Sequence, residues 1–433
     1  VRPPVTPWFF GIRDSDFGLP AYTPAMNRRR FLQKTGVAGL LASAWPALAQ
    51  TTNTTAAAPT RATGGGLAFT TAPSVQGASP TSVTIAIGVN GPSTAWVEYG
   101  ETPELGRVAT GARHGLKPFD AVAHAIRLEG LRPGQPCYYR VHACAIDFRN
   151  AYNIRRGEMV ATDVFHFQPL NPKAGEARFA VWNDTHENAA TLAQLMALTA
   201  REPADFHVWN GDITNDNYRE ADMARHYLGA GGQPFSRDTP LLFVRGNHDD
   251  RGPAARGLER FQATTDGRTY YSFAHGPLAG VVLNTGEDKP DDHPVYAGLG
   301  DYVAFHREQA AWLAEEIRKP QFRRARFRVA FMHIPVWWVG DRGDGGFANQ
   351  PADPRAEWHP LLVRGKFHAV ISGHTHRHAL FPPDAKKPYA QMVGGGPRPE
   401  TATLIRGHAT ARELTLTMTD LAGKELAVWR TRG

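Results

Sequence analysis

The pattern of apolar and polar residues changes once along this chain, near residue 170. From about residue 67 to 169, apolar and polar positions alternate in short runs at 81–88, 95–99, 124–128, 138–142 and 163–167. Successive side chains of a strand point to opposite faces, so a period of two marks a strand buried on one side. Five such runs, separated by turn residues, predict an all-β sandwich over 67–170. From residue 178 the apolar runs become continuous. Those at 179–182, 205–209, 241–244, 327–332 and 367–372 read as strands covered on both faces, and 269–273 with 280–284 as a meander. Helical spacing appears at 188–201, 219–230 and 307–318, and a hairpin at 413–418 and 425–430. Strands alternating with helices predict an α/β domain over 171–433.

The 433 residues leave room for two or three domains. Arg28, Arg29 and Arg30 follow Met26, a weakly apolar stretch covers 35–48, and Ala47, Leu48 and Ala49 suit a small-residue cleavage site. Together they predict a signal peptide over 26–49, too short for an ordinary transmembrane helix. Arg28, Arg29, Phe31 and Leu32 are similar to a twin-arginine signal, an address read by a receptor. The twin-arginine export machinery is then an expected partner, with a periplasmic or secreted destination. On this reading 1–25 lies upstream of the working protein, and the Thr/Ala/Gly-rich 50–66 is a linker. No other stretch is apolar enough to span a bilayer.

The formal charge of +7 is partly a property of the leader. Residues 1–49 hold six Lys/Arg against two Asp/Glu, and the remainder holds 42 against 39. Nucleic acid would want a basic stripe; the short run of Arg323, Arg324, Arg326 and Arg328 reads as a solvated edge. Cys137 and Cys144 sit seven apart on one expected strand. They would face opposite sides, roughly 23 Å apart if extended, which excludes a disulfide scaffold.

The chemistry lies where the continuous strands stop. Asp184 and His186 follow 179–182, and Gly211 with Asp212 follow 205–209. Gly246, Asn247, His248 and Asp249 follow 241–244, His333 follows 327–332, and Gly373, His374 and His376 follow 367–372. Each piece alone suits a helix cap, a turn or a core histidine. Five in succession at carboxyl ends of strands, where open α/β sheets place ligands, predict one site. Histidine with carboxylate suits Fe, Mn or Zn. Two ions about 3.5–4 Å apart need a shared anionic ligand, and one carboxylate between two half-sites provides it. Two divalent ions with Asp184, Asp212 and a hydroxide leave a net charge of about +1, which attracts a phosphate oxyanion.

These five blocks, in this order and spacing, resemble the calcineurin-like metallophosphoesterase family over about 178–410. The resemblance implies a four-layer α/β/β/α fold and two divalent or trivalent metal ions (Fe, Mn or Zn). It implies that Asp184, His186, Asp212 and His376 hold the first ion, and Asp212, Asn247, His333 and His374 the second. A bridging hydroxide would attack phosphorus. His248 would face the phosphate without ligating metal, and Asp249 would support it. The segment 128–141 resembles the corner of fibronectin type III domains, and the arrangement is similar to the sandwich preceding the catalytic domain of purple acid phosphatases. Those enzymes carry a tyrosine ligand three residues after the second block's aspartate. Asn215 stands there in this chain, and His186 is present where they have no histidine, so no purple colour is expected.

The expected activity is hydrolysis of a small phosphorylated substrate, a phosphomonoester or phosphodiester. A nucleotidase or cyclic-nucleotide phosphodiesterase is the alternative within the family, and a non-catalytic surface binding protein is the alternative outside it. Trp337 and Trp338 could stack on a substrate or pack a loop. Gly394, Gly395 and Gly396 would allow close backbone approach or form a plain turn. The acidic loop 287–293 could hold a third cation or lie in solvent.

Overall fold

The alternation read between 67 and 170 becomes eight strands: β1 (Ser74–Gln76), β2 (Ser82–Gly88), β3 (Ser93–Gly100), β4 (Arg107–Ala109), β5 (Ala123–Glu129), β6 (Cys137–Asn150), β7 (Asn153–Ala161) and β8 (Phe165–Phe167). The structure, a computed structural model, describes residues 66–229, 235–339, 346–350 and 352–433. The expected upstream segment, the signal peptide and all but the last residue of the linker lie outside the described residues. Strands β3, β4, β6, β7 and β8 form a sheet of their own, in the order β4-β3-β6-β7 with β8 on β6. Strands β1, β2 and β5 join a different sheet, described below. The two sheets share one core, in which Val83, Ile85, Ile126 and Leu128 lie with Val97, Tyr99, Tyr139 and Val141. Cys137 and Cys144 are both free and buried in β6.

The α/β region begins with β9 (Ala177–Trp182), α1 (Ala189–Thr199) and β10 (Phe206–Asn210). Next come α2 (Glu220–Met223), which runs into a π-helical turn at Ala224–Leu228, then β11 (Leu241–Val244), β12 (Tyr271–His275), β13 (Leu278–Leu283), α3 (Tyr302–Glu316) and α4 (Pro320–Arg324). The chain continues through β14 (Phe327–Met332), α5 (Trp358–Arg364), β15 (Ala369–Ser372), β16 (Ala379–Phe381), β17 (Ala390–Val393) and β18 (Thr403–Ala409). It closes with the hairpin β19 (Glu413–Asp420) and β20 (Glu425–Arg432). Among the described residues, one sheet runs β20-β19-β18-β9-β10-β11-β1-β2-β5 and a second runs β12-β13-β14-β15-β17-β16. Strand β1 is parallel to β11, with Gln76 opposite Leu241. The expected sandwich therefore shares a continuous hydrogen-bonded sheet with the α/β region, and the edge of β11 is covered instead of left with unpaired groups.

Alternation explains the layers. Phe179 and Val181 of β9, Phe206 and Val208 of β10, and Val329 and Phe331 of β14 point into the core between the two large sheets. Their neighbours Trp182 and Trp209 face outward, onto Leu192, Leu195 and Leu198 of α1 and Tyr227. On the other side Ala330 and Met332 face outward, onto Leu313 of α3, Ile317 just past its end, and Trp358 and Leu362 of α5. The order is helix, sheet, sheet, helix, and strands in both layers stay apolar because both faces are covered. Burying a large aromatic such as Phe179 is worth roughly 3–5 kcal/mol against alanine.

Helix boundaries moved where distant groups cap them. The helix expected at 307–318 starts five residues earlier, at Tyr302. The carboxylate of Asp291 accepts the backbone N–H groups of Tyr302 and Val303 at 2.8 and 2.9 Å, satisfying donors that a helix N-terminus leaves unpaired. Helix α1 keeps a local cap, Asn188, whose Oδ1 accepts Thr191 N–H at 3.1 Å.

Candidate metal centre

All five polar blocks leave the carboxyl ends of β9, β10, β11, β14 and β15, so the two large sheets present them to one another along one edge. Each turn must reverse within two or three residues. Asp184, His186, Asp212, His374 and His376 all adopt left-handed backbone conformations, with φ of 50°, 42°, 51°, 70° and 53°. Such conformations are unfavourable for residues with a Cβ and persist where the surroundings over-determine them. Close approach is the reason for Gly246, where a Cβ would collide with the backbone N and carboxylate of Asp212, and for Gly394, where it would collide with Asn183.

Two overlapping groups of donor atoms result. Atoms of Asp184, His186, Asp212 and His376 lie within 4.8 Å of one another, and so do those of Asp212, His333 and His374. Asp212 belongs to both. Its Oδ1 accepts the backbone N–H of His248 at 3.0 Å. Its Oδ2 lies 3.4 Å from His186 Nε2 and 3.1 Å from His333 Nε2, so a single oxygen faces both groups. His376 Nε2 is 3.3 Å from Asp184 Oδ1 and 3.0 Å from His186 Nε2. Asn247 Oδ1 is 2.9 Å from His374 Nδ1, completing the second group.

The outer nitrogens fix the tautomers. His333 donates Nδ1–H to the Asn210 carbonyl at 2.9 Å, and His186 donates Nδ1–H to Asn215 Oδ1 at 3.1 Å. Each leaves a bare Nε2 aimed at the carboxylates, as metal-ligating histidines do. His333 is wholly buried, and its Nε2 faces Asp212 Oδ2 at 3.1 Å and Asp184 Oδ1 at 3.8 Å. A buried imidazole nitrogen converging with two buried carboxylates fits a cation, and the mixed N/O set fits Fe, Mn or Zn.

Electrostatics point the same way. Burial opposes a charged His333, yet Asp212 and Asp184 outweigh it and raise the group to about 10. Burial would raise Asp212 too, but His333 and His186 hold it well below the usual carboxylate range. Burial and the neighbouring His333 push His374 down to about 4. Without metal, a proton on His333 neutralises carboxylates that an ion would otherwise satisfy.

One expected role changes. Asp249 does not reach His248. Its wholly buried carboxylate accepts the N–H groups of Asp212, Ile213 and Gly246 at 3.0, 3.1 and 2.9 Å and the Tyr227 hydroxyl at 2.8 Å. It ties the turn after β10 to the turn after β11. His248 is held instead by Asn215, whose carbonyl accepts its Nδ1–H at 2.8 Å. Arg251 donates Nη1–H to His248 Nε2 at 2.8 Å and pairs with Glu287 and Asp288 at 3.0 and 3.2 Å. Sequence reading missed the roles of Asn215 and Arg251. Asn215 was visible only as the residue in the tyrosine position, and the distances joining Arg251 to Glu287 are set by the fold. Asn183 was missed as well; its amide donates to Asp184 Oδ2 at 2.5 Å and to the Gly395 carbonyl at 2.8 Å.

The remaining features separate. Trp337 is buried, 4.9 Å between centroids from Tyr389, and packs the loop. Trp338 is half-buried and meets His374 edge-on at 5.4 Å. The acidic loop is engaged in ion pairs through Glu287 and Asp288 and in capping α3 through Asp291. Among the described residues no helix is long and apolar enough to cross a membrane.

Residues 177–378 match the sequence profile of the calcineurin-like phosphoesterases. The chain is 30% identical over 144 residues to the serine/threonine-protein phosphatase CPPED1 of Mus musculus and 32% identical over 143 residues to that of Bos taurus. Each alignment covers 33% of this chain and 43% of the relative, so the chain spans less than half the length of these relatives. Purple acid phosphatase 21 of Arabidopsis thaliana is 23% identical over 308 residues, 66% of this chain and 60% of that protein. Purple acid phosphatase PPD1 from yellow lupin (Lupinus luteus) seeds shares the fold with a TM-score of 0.59 at 14% identity, over 83% of this chain and 73% of that one. PhoD does so with a TM-score of 0.56 at 12% identity, over 82% and 91%.

Proposed function

We propose that this chain, which carries a calcineurin-like phosphoesterase domain, is an exported dinuclear-metal phosphoesterase acting on phosphomonoesters or phosphodiesters. The observation that carries the reading is Asp212, whose Oδ2 faces two histidine-bearing donor groups at once. Asp184, His186, Asp212 and His376 would hold one ion, and Asp212, Asn247, His333 and His374 the other. The ions, when bound, supply a water ionised near neutral pH and positive charge against the phosphate. The chain's own residues do the rest. Asn210 and Asn215 hold the ligand histidines in the tautomer that presents Nε2. The Asn215 carbonyl keeps one proton of His248 on Nδ1, so Nε2, which accepts from Arg251 in this structure, is the atom that would carry a second proton towards the phosphate or the leaving oxygen. Arg251 brings a guanidinium within reach of any oxygen that contacts His248 Nε2.

Export rests on the twin-arginine-like leader, and that route would suit a protein that folds around its ions first. The order β1-β2-β5 beside β4-β3-β6-β7 supports reading 67–170 as a fibronectin type III-like sandwich. The test is metal analysis with a screen of mono- and diesters on the metal-replete protein. Turnover with about two ions per chain is expected, absent in Asp212→Ala, while His248→Ala keeps both ions and loses turnover. Retained turnover in Asp212→Ala would sink the mechanism.

A further inference from the structure

A cleft of about 450 Å³ opens beside His374, lined by Asp288, Ile334, Trp338, Phe347, Asp353 and Arg355 among others. Its apolar side is formed by Trp338, Ile334 and Phe347. Trp338 stands over the metal group, edge-on to His374 at 5.4 Å. Because His374 belongs to the second donor group, a phosphate held there would direct its ester substituent into this cleft. The volume falls in the range of small-molecule sites.

Arg355, which lines the polar side, and the cations paired with the lining carboxylate Asp288 are already engaged. Arg355 donates through Nε and Nη2 to Asp353 at 3.0 and 2.6 Å. Its Nη1 donates to the carbonyls of Thr285 and Glu287 at 3.1 and 3.3 Å. Arg251 is paired with Glu287 and Asp288. Lys289 is paired with Asp288 at 2.6 Å. Among the described residues, the one guanidinium lining the cleft, that of Arg355, is therefore already engaged, and a second anionic group on the substrate would be buried there without a partner, which is costly. A planar, uncharged group meets an aromatic wall, on which ring stacking is favourable and tolerant of sequence or substituent.

We infer that this cleft is the leaving-group pocket, and that it selects esters of uncharged, ring-bearing alcohols carrying a single phosphate. The inference rests on the phosphoesterase reading above and adds the substrate class to it. Trp338 is its specificity residue, and the engagement of Arg355 by Asp353 leaves a second phosphate without a cation.

The experiment compares metal-replete wild type, Trp338→Ala and Trp338→Phe on phenyl phosphate, glycerol 2-phosphate, adenosine monophosphate and adenosine diphosphate, with metal content measured on each preparation. Wild type should favour the monophosphate over the diphosphate by about tenfold or more in kcat/KM, the scale of one pocket contact. Trp338→Ala should lose about tenfold more on phenyl phosphate than on glycerol 2-phosphate, chiefly through KM. Trp338→Phe, which keeps a ring, should recover most of that difference. Equal losses on both esters, or equal turnover of the two nucleotides, would overturn the pocket assignment while leaving the phosphoesterase reading intact. Inactivity of metal-replete wild type on all four esters would overturn both.

Discussion

Asp249 offers the sharpest test, because its place in the fold differs from the place its sequence neighbours suggest. Five donors converge on one wholly buried carboxylate, four of them within 3.1 Å and Thr214 N–H at 3.5 Å. In Asp249→Asn one oxygen becomes an NH2 group. Either the close pair at Oδ1 (Ile213 N–H and the Tyr227 hydroxyl, with Thr214 N–H farther off) or the pair at Oδ2 (Asp212 and Gly246 N–H) then faces a donor. Each buried donor left without an acceptor costs about 1–3 kcal/mol, so the gross penalty is roughly 2–6 kcal/mol. Burial and the Asp212 charge push the Asp249 carboxyl up to about 6, so removing its charge returns part of this. A net loss of about 2–4 kcal/mol is expected. The turn bearing Asp212 and the turn bearing Asn247 lose their shared tie, so metal affinity should fall about 10–100-fold, the usual effect of losing a group that orients ligands. Urea unfolding of the chelated protein, followed by tryptophan fluorescence, measures the first quantity. Competition with a chelating dye measures the second. Wild-type values for both, with only turnover lost, would refute the reasoning and return Asp249 to a role in supporting His248.

Three further outcomes are expected. His333 is raised to about 10 in the fold, above an ordinary value near 6.5, so its contribution to the metal-free protein is fully present below about pH 6.5 and lost as pH rises towards 10. Chelated protein should melt higher at pH 6 than at pH 9.5, while metal affinity, which needs that proton gone, rises over the same interval; thermal scans with and without metal check the opposite slopes. Asn215→Ala frees the His186 ring and should weaken the ion proposed at Asp184, His186, Asp212 and His376 about tenfold or more, with Asn215→Asp restoring much of it because a carboxylate accepts the same N–H. Stepwise metal titration would contradict this if both ions weakened alike. Arg251→Lys keeps the charge but not the fork that spans His248, Glu287 and Asp288, so turnover should drop about tenfold or more with metal content unchanged; wild-type kinetics would show that Arg251 is only structural.

The elements of this protein were largely readable from local pattern. Continuous apolar runs at 179–182, 205–209, 241–244 and 327–332 became β9, β10, β11 and β14, because strands covered on both faces cannot alternate. The polar residues after each run were equally visible, since the turn leaving a buried strand is where hydrophilic side chains can first appear. What local pattern could not reach was set by distance through space. Asp291 caps a helix that begins eleven residues later, β1 pairs with a strand 165 positions on, and Arg251 is tied to Glu287 across a loop. The tertiary structure also divided the motif after β11. Asn247 turns towards His374 and His248 towards Asn215, while Asp249 turns inward to hold four backbone N–H groups. Which way a residue faces in such a turn depends on donors and carboxylates brought in by other strands, and the order of residues along one strand carries no record of them.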